Sequence, residues 1–193
     1  MNFVGVRSTT GWFRPGEPVV HLSYVGRVTS HLHDQPEMHR VEDVDFLPGS
    51  NLALRSRLAL MADHGAAPGL APGEEMEWCL TVKDAGYRVV YDSAIRVAHY
   101  SASRVGAPAR DDKVTYAYAS AYMLAHTMLR HFGPVRSIIS LAYDVLIGRR
   151  VSPGLALVPF YALRPSGLDK MRSGMRGRWR AVLDSFKGKR AGR

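Results

Sequence analysis

The chain has 193 residues, 46% of them apolar, which is enough for a packed core and too apolar for a disordered chain. A single cysteine, Cys79, excludes an intrachain disulfide framework, and the longest apolar runs, Ile138 to Gly148 and Gly154 to Leu163, fall well short of the roughly 20 residues that cross a bilayer. The net charge of +9 is uneven: the last 31 residues, from Leu163, carry ten Lys or Arg and two Asp, a net of +8, and the remainder is nearly neutral.

In chain order, the start from Met1 to Arg7 does not resemble a signal peptide. Val19 to Val25 and Gly26 to Thr29 read as short strands among turns at Arg14-Pro15-Gly16 and Asp34-Gln35-Pro36. His31, His33 and His39 form a loose group without the regular spacing or Cys partners of a metal site. Glu42-Asp43-Val44-Asp45 contains the letters D-x-D. No apolar strand precedes it and no helix follows it, so Asp43 and Asp45 are expected at a loop or strand edge. Gly49-Ser50-Asn51 is a turn, and Ser56 caps a helix expected from Arg57 to His64, ending at Gly65.

The Pro- and Gly-rich linker from Ala66 to Gly73 leads into a helix whose first turn holds Glu74, Glu75 and Glu77, where negative charge suits the positive end of the helix dipole. Gly86 closes that helix. Tyr87 to Tyr91 is a β-branched and aromatic strand, Asp92-Ser93 a turn, and Ile95 to Tyr100 a second extended run containing His99. A carboxylate pair at a helix start and a histidine near a strand end are thereby expected to face one cleft.

Beyond His99 the pattern is helical. Val114 to Phe132 carries an apolar stripe, with Asp111-Asp112 at its start and Gly133-Pro134 at its end. Val135 to Ile147 is a second helix, and Pro153 to Leu163 a third, bent or broken at Pro159. Leu168, Met171, Met175, Trp179, Val182, Leu183 and Phe186 then recur at helical spacing with arginines between them, predicting a basic amphipathic helix suited to an anionic membrane surface. Nucleic acid is not expected as a partner, because the aromatics among these cations lie on the apolar helix face and form no stacking platform.

Two blocks resemble the second half of the catalytic domain of family 2 glycosyltransferases, which have the GT-A fold. Gly73, Glu74, Glu77, Gly86, Tyr87, Tyr91 and His99 fall in register on the family's G-E-D-x-D-L-x-x-R-x-x-x-x-G-Y-x-x-x-Y pattern and its following histidine. Val44 to Arg55 is similar to the family's hydrophobic-x-G-A-N-x-x-x-R segment. Glu75 stands where the family has the Asp base, Glu77 replaces the next Asp, and Thr81 stands in place of an Arg.

The resemblance implies an α/β chain, with residues 1–108 as the acceptor-side half of a Rossmann-like nucleotide-diphospho-sugar transferase domain and 109–193 as a helical tail. It implies transfer of a sugar from a nucleotide-sugar to a glycan or lipid-linked acceptor in polysaccharide biosynthesis, assisted by Mg²⁺ or Mn²⁺. Glu75 or Glu74 would act as base, Gly49, Ser50 and Asn51 would line the substrate cleft, and His99 would help to hold the metal. Nothing before residue 40 resembles the nucleotide-binding half with its D-x-D, so a partner half is expected for activity and the chain alone is expected to be inactive. A cytoplasmic chain, peripheral on the inner face of the membrane, is the matching location. The rival expectation is a non-catalytic module that binds a membrane surface or another anionic ligand through its basic tail.

Overall fold

The computed structural model describes residues 19–30, 40–47, 49–59, 73–95 and 112–191. They combine helices with two small antiparallel sheets and are mostly helical. The chain divides into two compact units: residues 1–23, 27–62 and 75–100 make an α/β unit, and residues 24–26, 63–74 and 101–193 a helical one.

In the α/β unit, β1 (Val20–Leu22) pairs antiparallel with β2 (Val28–Ser30), Val20 opposite Ser30. Val20 and Leu22 point inward and His21 outward, the two-residue alternation of a strand with one buried face. β3 (Val41–Asp43) pairs antiparallel with β4 (Val90–Asp92), Asp43 opposite Val90. Val44 N–H prolongs the ladder to Val89 O at 3.0 Å. The expected strand from Tyr87 is thus shorter and begins at Val90. The Asp92-Ser93 turn forms as expected, with Ala94 N–H donating to Asp92 Oδ1 at 2.9 Å.

Helix α1 (Ser56–Ala59) is the described part of the helix expected to reach His64; residues 60–72 lie outside the described residues. Helix α2 (Glu74–Asp84) turns Met76, Cys79, Leu80 and Val82 inward. Cys79 and Val82 meet Val19, Val20, Val44, Leu58 and Val89 in the core of this unit. Gly86, at φ 83°, closes α2. Its N–H reaches Lys83 O at 2.9 Å and Tyr87 N–H reaches Val82 O at 3.1 Å, the paired bonds of a Schellman ending that favours a residue without Cβ.

In the helical unit, α3 (Lys113–His131) starts at Asp112, whose carboxylate accepts from Val114 N–H at 2.9 Å. Helix α4 (Pro134–Leu146) opens on proline, where the missing N–H costs no intrahelical bond. The segment from Pro153 does not form one helix broken at Pro159. Leu155–Leu157 is a 3-10 turn, and Pro159 sits in the first turn of the one-turn helix α5 (Val158–Tyr161), again a position where proline fits.

Helix α6 (Gly167–Ala191) packs along α3 through small residues. A Cβ on Gly177 would stand 2.4 Å from Tyr118 O, and Ala181 is fully buried against Tyr122, Met123 and Ala125. The apolar face expected on this helix is therefore divided. Met171 turns inward with the glycines, while Leu168, Trp179, Leu183 and Phe186 are exposed.

Helix α4 is oriented against the usual rule for an amphipathic helix. Its polar residues Ser137, Ser140 and Asp144 are buried, and Val135, Ile138, Ile139 and Leu146 are exposed. Each buried polar group has its partner. Ser137 Oγ donates to Met128 O at 2.7 Å, Ser140 Oγ to Val25 O at 3.0 Å, and Asp144 Oδ2 receives Arg178 Nε at 2.6 Å.

Candidate functional site

The α/β unit brings together two segments that the sequence separates. The 3-10 turn Gly49–Asn51 follows β3, and Asn51 Nδ2 donates to Ile95 O at 2.9 Å, which ties it to the chain just past the turn that ends β4. The start of α2 faces the same turn. The Glu75 side chain lies across the Cα of Gly49, so that a Cβ on Gly49 would meet Oε1 at 2.7 Å and Cγ at 2.8 Å. One turn along α2, burial pushes the Cys79 thiol up, a hydrogen bond from the Leu47 backbone opposes this, and the charge of Glu75 adds to it. That thiol is buried and inert, a packing group.

Glu75 is half-buried and makes no hydrogen bond or ion pair with another described residue. Glu74 is the first residue of α2 and also half-buried. Glu77, expected beside them in the acidic first turn, is buried with the apolar face of the helix. Gly49 and Asn51 are exposed, and Ser50 contributes its backbone to the turn. His99 lies outside the described residues, as do His31, His33 and His39. Among the described residues no group of three or more His, Cys, Asp or Glu stands ready to hold a metal ion.

The acidic run before the turn has structural work. Asp45 Oδ2 accepts from Leu22 N–H at 2.7 Å and lies 3.0 Å from His21 Nδ1, while Oδ1 receives Lys83 Nζ at 2.9 Å. Burial opposes ionisation of Asp45, but the Leu22 N–H and the Lys83 ammonium outweigh it and hold the carboxyl below its usual value. At the end of β3, the hydrogen bond from Arg88 at 2.9 Å likewise lowers Asp43. Glu42 accepts from Val19 N–H and pairs with Arg40. The letters D-x-D here serve to clamp β1, α2 and the Arg88 segment that leads into β4.

Chemically, the arrangement offers a carboxylate without a partner among the described residues, at a helix start beside an exposed turn that lacks a side chain at its first residue. Such a carboxylate can take the proton of a hydroxyl brought within about 2.6–3.2 Å. Two features escaped the sequence reading. The partners of Glu42 and Asp45 are distant in sequence and left no local signal. The inverted α4 did leave one, since Ser137, Ser140 and Asp144 form a polar stripe at helical spacing opposite the aliphatic one. Compared with protein-family models, with curated proteins and with solved structures, the chain matches none.

Proposed function

We propose that the α/β unit is the acceptor-side half of a glycosyltransferase domain resembling family 2, with a GT-A-like arrangement, and that Glu75 is its general base. The observation that carries this reading is the apposition of Glu75 and Gly49. They come from the two separate blocks on which the resemblance rests, and they meet with a carboxylate that has no partner among the described residues beside an exposed turn. In the reaction, Glu75 takes the proton of the acceptor hydroxyl as its oxygen bonds to the anomeric carbon of a nucleotide-sugar. The bond from that carbon to the diphosphate breaks, and the nucleoside diphosphate leaves with the electron pair. Asn51 and the Gly49 backbone border the acceptor. Binding of the nucleotide-sugar, and of Mg²⁺ or Mn²⁺ where it is required, is assigned to a donor-binding half.

The acceptor half can be tested without a donor. Oligosaccharides representing glycan acceptors are titrated into the labelled full chain, and the amide signals of Gly49, Asn51 and Glu75 are expected to shift together. In a transfer assay with UDP-, GDP- or dTDP-sugars, Mn²⁺ and the donor-binding half, Glu75→Gln should lower turnover by about 10²–10⁴-fold while acceptor binding stays near wild type. Shifts confined to other residues for every acceptor, or wild-type turnover by Glu75→Gln, would remove this reading.

A further inference from the structure

We infer that the outward face of α4, continued by the 3-10 turn and α5, is a membrane-seating surface that enters the interface of an anionic phospholipid bilayer. The inference rests on the helical unit alone and stands whether or not the glycosyltransferase reading holds.

The inversion of α4 is its first support. A helix in water gains by turning aliphatic side chains inward and polar ones outward. Here Ser137, Ser140 and Asp144 occupy the inward positions with specific partners on α3, on the Val25 carbonyl and on α6, so the orientation is held by directed bonds. Those bonds leave Ile138 66% and Val135 64% exposed. Such an arrangement is favourable where the outer medium is itself apolar.

The surface continues past the end of α4. Gly154 N–H returns to Ile147 O at 2.9 Å and Gly148 bridges Pro153, which folds the 3-10 turn back beside the end of α4. Any Cβ on Gly148 or Gly154 would lie within 2.5 Å of backbone across this turn, so the close return requires glycine at both places. Beyond it, Leu155, Phe160 and Leu163 are exposed, Leu163 at 89% and Phe160 at 68%. A run of exposed apolar residues on this scale marks an interaction surface.

Charge and length select the occupant. Between Pro134 and Ser166 the one acidic residue is Asp144, and it is buried against Arg178. Arg150 and Arg164 are exposed at the two ends of the turn segment. An apolar face with exposed cations at the ends of its turn segment complements a surface of acyl chains beneath phosphate groups. Helix α4 has 13 residues, about 20 Å at 1.5 Å per residue, against a hydrocarbon core of about 30 Å. No helix among the described residues is long and apolar enough to cross a membrane. The fitting geometry is a helix lying in the plane of the interface.

The test uses the full chain and sedimentation with vesicles of phosphatidylcholine, alone or with about one third phosphatidylglycerol. Wild type is expected to bind the anionic vesicles and the neutral ones much less. Ile138→Asp with Phe160→Asp should lower the partition coefficient at least about tenfold, with helicity and melting temperature unchanged because both sites are exposed. Ile138→Leu should bind as wild type, and Arg150→Glu with Arg164→Glu should weaken binding to anionic vesicles only. Wild-type binding by the double Asp variant, or failure of wild type to bind anionic vesicles, would overturn the inference. So would a lipid-free dimer that the double Asp variant makes monomeric, which would assign the face to a second copy of the chain.

Discussion

Asp45 shows how a single carboxylate can join three segments. It receives the Leu22 N–H of β1 and the Lys83 ammonium of α2, and follows directly on β3. Because its pKa is depressed in the folded chain, its contribution to stability is complete above the titration of an unfolded carboxyl, near about 4, and is lost as pH falls through the lower folded value. Asp45→Asn should therefore cost about 1 kcal/mol in urea unfolding at neutral pH, with the difference from wild type disappearing as pH is taken below about 4. Gly49 makes the opposite kind of prediction. The nearest atoms an alanine methyl there would meet belong to the flexible Glu75 side chain, at a backbone conformation open to any residue, so Gly49→Ala should change stability by no more than about 0.5 kcal/mol. It should nonetheless turn the Glu75 carboxylate away from the turn. Unchanged acceptor titrations and turnover in Gly49→Ala would show that the contact has no part in the site.

At the scale of elements, the long basic helix α6 is held by its smallest residues. Gly177 places its backbone against Tyr118 of α3, and no movable side chain is there to yield. Gly177→Ala is expected to force the two helices apart at a cost of about 2 kcal/mol, read from chemical denaturation. The second tie is Arg178, 2% exposed, which donates to Asp144 on α4 and to Ser152 O at 2.8 Å. Arg178→Met leaves Asp144 buried without its cation and should cost about 3–5 kcal/mol. Adding Asp144→Leu should restore much of that loss, because two apolar side chains can share the space vacated by the ion pair. If the double variant is as unstable as the single one, the pair is needed for the geometry of α4 itself, and the inward setting of its serines depends on it.

For the whole molecule, charge and architecture divide the chain differently. Residues 134–193 hold thirteen Lys or Arg against three Asp, and residues 1–133 are close to neutral. The helical unit also includes Tyr24–Gly26, whose carbonyls accept from Arg136, Ser140 and Arg149, with Gly26 at φ 75° under the Ser140 hydroxyl. A fragment of residues 101–193 is therefore expected to be helical by circular dichroism but to melt below the full chain, and an equal melting temperature would show that these carbonyls contribute nothing. Local chemistry had already determined most elements. The start of α3 at Asp112, the end of α2 at Gly86 and the Asp92 turn depend on side chains and backbone within a few residues, and those signals are written contiguously. The tertiary structure alone decided which face of each helix turns inward and which carboxylates are drawn into ion pairs. Burial of Glu77, the division of α6, the inversion of α4 and the meeting of Glu75 with Gly49 all depend on partners far along the chain. Periodicity states that a helix has two faces, and only packing and hydrogen-bond satisfaction choose between them.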